Sequence, residues 1–144
     1  MKRRMDLEEK LLEFLYTWMR PIRIGDLRKE LEKEHISIPH SSINSIIKRL
    51  EDDGFVSWEK YGPISLTKEG QKKAAHKQRH FHLMVMFLME TLHLPHREAK
   101  EESYAIASVI SCNLIQQISK ELNNPQKCHC NENIPQIKEC ISRS

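Results

Sequence analysis

The chain has 144 residues, of which 30% are charged and 39% apolar, enough for one good core or two small ones. No apolar run approaches the roughly 18 residues of a membrane span, and the start MKRRMDLEEK lacks the apolar centre of a signal peptide. A cytoplasmic globular protein without a membrane partner is expected. Net charge is only +3, but residues 1–80 hold 17 Lys/Arg against 13 Asp/Glu, and residues 81–144 hold 6 against 7. The positive excess therefore sits in the N-terminal half, where a phosphate backbone could use it, as could plain solvation.

Residues 6–19, DLEEKLLEFLYTWM, set Leu7, Leu11, Leu12, Leu15 and Trp18 on one helical stripe, with Asp6 as N-cap and Pro21 as the stop. IGDLRKELEKE (24–34) is a short amphipathic helix through Ile24, Leu27 and Leu31. In HSSINSIIKRLEDDGF (40–55), Ile43, Ile46, Ile47 and Leu50 fall at i, i+3, i+4 and i+7, one helical face. Pro39 marks its start and Gly54 its end. The opposite face carries Ser41, Ser42, Ser45, Lys48 and Arg49. The period then shortens to two: Phe55–Trp58 and Ile64–Thr67 flank EKYGP, whose Gly62-Pro63 is turn chemistry.

Three helices and a hairpin predict a winged helix-turn-helix over 1–70. The third helix takes the recognition role and the hairpin is the wing. Recognition helices approach base edges with their N-terminal residues. The short hydroxyls of Ser41, Ser42 and Ser45 suit close approach to bases or phosphates. Lys48, Arg49 and the wing's Lys60 suit phosphate neutralisation, which anchors without reading sequence. The expected partner is a double-stranded DNA operator.

From Thr67 a long helix is predicted, basic in its first half and apolar nearly all round from Leu83 to Leu92, so that half must be buried. Pro95 breaks it. Helices over 95–110 and 112–123 follow, with Ser111 as N-cap of the second. Ile106, Val109, Ile110, Leu114, Ile115 and Ile118 supply more apolar surface than one small domain needs. A homodimer interface is the simplest sink, and a two-fold dimer would space two recognition helices by one DNA turn, roughly 34–36 Å. The fold class is thus mainly α: an N-terminal winged helix-turn-helix followed by an all-helical dimerisation domain, 71–144, with a cysteine-containing tail.

No Gly-rich phosphate loop, His-Glu-x-x-His or Gly-x-Ser-x-Gly is present, and the carboxylates lie in solvated helical patterns, so an enzyme is not expected. Two clusters could hold a metal. His76 and His80 are spaced i, i+4, with His82 nearby, a spacing able to hold Zn(II); the same residues could simply mark a solvated basic helix. Cys128, His129 and Cys130, with Cys140 and Cys112, could hold zinc or an iron–sulfur cluster, although Cys-x-Cys is not the usual spacing.

The run SSINSIIKRLEDDGFVSWEKYGPISLTKEG resembles the winged helix of the diphtheria-toxin-repressor family of metal-dependent regulators, and most of all its manganese-transport-regulator branch. RHFHLMVMFLMETLHLPHREAKEESYAIASVIS is similar to the family's dimerisation helices, and CHCNENIP to its Cys-Pro-His turn. The resemblance covers about residues 5–135. It implies a homodimeric repressor whose operator binding is switched on by Mn(II) or Fe(II). Carried over residue by residue, the family's first-helix ligand positions fall on Lys10 and Glu13, and its histidine on His80 or His82. Its carboxylate-rich group falls on Tyr104, Ala107 and Ser108. An octahedral hard-metal site needs several oxygen and imidazole donors, so the switch is expected to be lost or rebuilt. The cofactor is either a divalent transition metal (Mn, Fe or Zn) or none. Two alternatives remain: metal or redox sensing through the Cys/His residues, and a protein-interaction module that no longer binds DNA.

Overall fold

The computed structural model describes residues 4–59, 62–129 and 131–137. Among these, the order is α1 (Arg4–Trp18), α2 (Ile24–Lys33), α3 (His40–Asp52), β1 (Val56–Trp58), β2 (Ile64–Leu66), α4 (Lys68–Thr91), α5 (His96–Ile106) and α6 (Cys112–Glu121). The chain divides into two compact units, 1–74 and 75–144, the boundary falling inside α4.

In the first unit the leucine stripe of α1 (Leu11, Leu12, Leu15), Leu27 and Leu31 of α2, and all four apolar residues of α3 share one buried core with Val56 and Ile64. Each such side chain contributes about 1.5–3 kcal/mol by leaving water, so the isoleucine face of α3 fixes which side of that helix faces outward. Helix α1 begins at Arg4, so Asp6 is a residue of its first turn and not its cap.

Helix ends are set by left-handed residues. Gly54 has φ 84°, and the Phe55 N–H donates back to the Leu50 carbonyl at 2.9 Å, satisfying a terminal acceptor of α3. His35 closes α2 in the same way at φ 63°, with Ile36 N–H on the Leu31 carbonyl at 2.9 Å. Met19, His93 and Asn123 stand at φ 65°, 57° and 64° after α1, α4 and α6.

The wing is antiparallel, pairing Val56 with Leu66, Ser57 with Ser65 and Trp58 with Ile64. Its inner edge is extended by Ile22, whose N–H and C=O both pair with Ile64 at 3.0 and 2.7 Å. The α1–α2 connection is thereby stitched to β2, a pairing the local pattern of Pro21-Ile22 does not announce. Thr67 caps α4: its hydroxyl accepts from the Gly70 N–H at 3.0 Å and donates to the Gly54 carbonyl at 2.6 Å. A Cβ on Gly70 would stand 2.0 Å from the Phe55 carbonyl oxygen, so only glycine permits this close approach.

In the second unit the apolar half of α4 (Leu83, Met84, Val85, Met86, Leu88) packs with Ala99, Ile115, Ile118, Cys128 and Ile134. The surplus expected for a partner is smaller than the sequence suggests. Ile115 and Ile118 are buried within the unit and Ile106 and Ile110 half-buried, while Val109 remains 80% exposed and Leu114 50%. Ser111 caps α6, its hydroxyl accepting from the Leu114 N–H at 3.2 Å. The tail folds back through paired Lys127 and Asn133, which places Cys128 and Ile134 in the core.

Candidate functional site

Burial of Ile43, Ile46, Ile47 and Leu50 turns Ser41, Ser45 and Lys48 to the exposed side of α3. The Ser45 hydroxyl donates to the Ser41 carbonyl at 3.1 Å, which leaves its lone pairs as acceptors toward the exterior. Ser42 and Arg49 lie on a half-buried flank. Arg49 Nε stands 2.7 Å from Glu8 Oε1 of α1, so this guanidinium is engaged within the unit, while Lys48 is exposed. Lys60 lies outside the described residues.

The other flank of α3 opens on a groove of about 720 Å³ lined by His40, Asn44, Lys48 and Glu51, with Arg23 before α2 and Trp58 of the wing. Asn44 and His40 were missed by reading hydroxyls and cations alone. The available signal was spacing: Asn44 stands four residues before Lys48, on the outward half of the same helix. An asparagine there can meet the N6/N7 edge of adenine in bidentate fashion.

The predicted metal residues that are described lie on α1, on α4 and in the tail. Glu13 is half-buried on α1, in the first unit. Cys128 is buried in the core of the second unit, and Cys130 and Cys140 lie outside the described residues. His82 is buried 3.3 Å from Glu132 Oε2 of the tail, apart from the other two histidines, because two residues along a helix is a turn of about 200°. His76 and His80, one turn apart, lie with their rings tilted by 42° and 4.2 Å between centroids. They converge on Cys112, the first residue of α6: His76 Nε2 is 2.9 Å and His80 Nε2 3.6 Å from its Sγ. The solvated basic helix half is thus corrected at Arg79 and His80, both buried.

Burial lowers the pKa of His80 from 6.5 to about 4, with His76 and Arg79 adding repulsion and a backbone hydrogen bond with Ala107 opposing them. The ring is therefore neutral at pH 7, the form that coordinates metal. No carboxylate, imidazole or thiol stands at the positions where the family's carboxylate-rich group falls. The Tyr104 ring packs 4.9 Å from Phe81, with Lys77 Nζ 5.9 Å from its centroid, Ala107 is a buried methyl, and Ser108 is exposed. An octahedral Mn(II) or Fe(II) site does not fit these residues.

Residues 67–136 match the model of the iron dependent repressor, metal binding and dimerisation domain. Over 113 residues the chain is 27% identical to an uncharacterised HTH-type transcriptional regulator of Methanocaldococcus jannaschii, covering 78% of this chain and 86% of that protein. Its structure is similar to that of the manganese regulator SloR, with TM-score 0.74 and 26% identity over 90% of this chain. It spans 59% of the SloR chain. A hypothetical protein of Sulfolobus solfataricus, 19% identical, shares the fold over 94% of this chain and 100% of its own, with TM-score 0.72. A winged helix and a helical metal-binding and dimerisation unit define a transcriptional regulator and not an enzyme. Residues 67–136 thus match the metal-binding and dimerisation domain of the iron-dependent repressors, and the chain is similar over most of its length to metal-dependent regulators of the diphtheria-toxin-repressor family. Among the described residues, no helix is long and apolar enough to cross a membrane.

Proposed function

We propose that this regulator is a homodimeric repressor that reads a double-stranded DNA operator through α3 and has lost the family's hard-metal switch. The observation that carries the reading is the outward presentation of Ser41, Ser45 and Lys48 while Ile43, Ile46, Ile47 and Leu50 are buried behind them. Short hydroxyls let the helix approach base edges, and Asn44, beside the groove, adds an amide able to read adenine. Lys48 supplies a phosphate contact that positions the helix. The exposed Val109 and Leu114 support a second copy of the chain as partner, which would present two recognition helices to two half-sites. Repression then follows from occupancy of the operator.

The test is duplex binding by fluorescence anisotropy across a salt series, with chelator present. A DNA reader loses affinity linearly in log–log terms, by about 0.9 in slope for each phosphate neutralised. It should prefer one selected sequence over random duplex by on the order of 1,000-fold or more. Flat, salt-independent behaviour would leave the winged helix as a protein-contact module. Stimulation by Mn(II) would show that the hard site persists.

A further inference from the structure

We propose that His76, His80 and Cys112 form a binding site for Zn(II), a borderline-soft divalent cation held by two imidazole nitrogens and one thiolate. This rests on the reading above that the family's own ligand positions no longer coordinate, and it supplies what replaced them.

The three ligand atoms all lie within 4.8 Å of one another, and among the described residues no further Cys, His, Asp or Glu joins them. Zinc bonds of about 2.0–2.1 Å to nitrogen and 2.3 Å to sulfur give tetrahedral N···S edges of about 3.5 Å. The His80 Nε2 to Cys112 Sγ distance is already 3.6 Å. The His76 contact, 2.9 Å, must open by about 0.6 Å to reach that edge length. His76 is only half-buried, so its ring has room to move and the ion has a way in.

Donor chemistry selects the metal. Thiolate with imidazole favours zinc over Mn(II), which prefers carboxylate, carbonyl and water oxygens. Cys112 opens α6 directly after the Ser111 cap, which sets its sulfur beside the two imidazoles of α4. On binding, the thiol proton passes to solvent. Three protein ligands leave the fourth tetrahedral position to water or an exogenous donor. The ion would clamp the N-terminus of α6 to α4.

The test is titration of the purified full-length protein with Co(II), read by absorbance, with Zn(II) as competitor. The wild type should develop a thiolate-to-cobalt charge-transfer band and the intense visible bands of tetrahedral Co(II), and Zn(II) should abolish both. Cys112→Ser should lose the charge-transfer band and weaken binding by on the order of 100-fold, while Cys128→Ser keeps it. His76→Ala, at a half-buried position that tolerates change, should weaken binding by at least about tenfold, which keeps the test decisive if Cys112→Ser does not fold. A band that survives in Cys112→Ser, an unchanged affinity in His76→Ala, or displacement of Co(II) by equimolar Mn(II) overturns the site. Duplex binding measured on the same samples separates the two readings. Cobalt at Cys112 without duplex affinity overturns operator reading alone, and salt-dependent duplex binding without the band overturns the zinc site alone.

Discussion

Arg49 of α3 and Glu8 of α1 form an ion pair of 2.7 Å across 41 residues of sequence. The pair fastens α3 to the helix behind it, and it distinguishes two cations that stand side by side in the chain. Partly exposed pairs of this kind contribute about 1 kcal/mol or less. Arg49→Ala should therefore lower the melting temperature by up to about 5 °C, with a secondary effect on duplex affinity. Lys48→Ala, on the exposed face, should leave the melting temperature unchanged and reduce the salt slope of duplex binding by about 0.9. Calorimetry and anisotropy on both variants decide the matter, and an unchanged slope in Lys48→Ala would remove α3 from the backbone contact.

Gly70 permits the first turn of α4 to lie against the Phe55 carbonyl. An added Cβ would stand 2.0 Å from that oxygen, a backbone atom that cannot swing aside. Gly70→Ala should cost about 1–3 kcal/mol or more, against the slight gain that a helical Gly→Ala exchange gives elsewhere. Urea unfolding reads the difference. A stabilised variant would mean that Thr67 and Gly70 do not hold the wing to α4 as described.

His80 makes the metal-free protein sensitive to acid. Its pKa is lowered from 6.5 to about 4 in the folded chain, so in between the unfolded chain binds the proton and the folded one does not. Stability is unaffected above pH 6.5 and falls as pH drops toward 4. Denaturation midpoints in chelator at pH 7.5, 6, 5 and 4.5 (roughly, spanning that window) should decline, and His80→Gln should flatten the decline. A profile unchanged by the substitution assigns the acid sensitivity to other groups.

Val109 and Leu114 offer exposed apolar surface on either side of the Ser111 cap. If a second copy covers them, Val109→Asp with Leu114→Glu should yield a folded monomer, because charges placed in an interface must be desolvated. Analytical ultracentrifugation reads the mass and circular dichroism the fold. Operator affinity should fall with dimerisation, since one half-site alone is then engaged. A dimer that persists in the double variant places the interface elsewhere.

Periodicity alone located α1, α2 and α3, because burying one stripe of a helix demands apolar residues every third or fourth position. It also located the hairpin, where the period falls to two. Local chemistry placed the Ser111 cap and the Gly54 stop, since a hydroxyl or a glycine at such points has few other uses. The stops at His35 and Met19 were not legible. Neither residue is the glycine or asparagine that most often marks a left-handed stop.

The site was legible only in its parts. Spacing paired His76 with His80, while proximity in sequence suggested His82 as their companion, and the structure turns His82 toward Glu132 instead. The third donor, Cys112, comes from 32 residues beyond His80, and no local pattern encodes which helix end arrives beside α4.

What the sequence by itself determined is the set of elements and the family likeness, because secondary structure and caps depend on neighbours a few residues apart. Which serines and cations face outward, which arginine is held by Glu8, and which thiol meets the two imidazoles were decided only by tertiary structure. Those outcomes depend on how buried faces fit together, and that fit is a property of the assembled core, which no single segment carries.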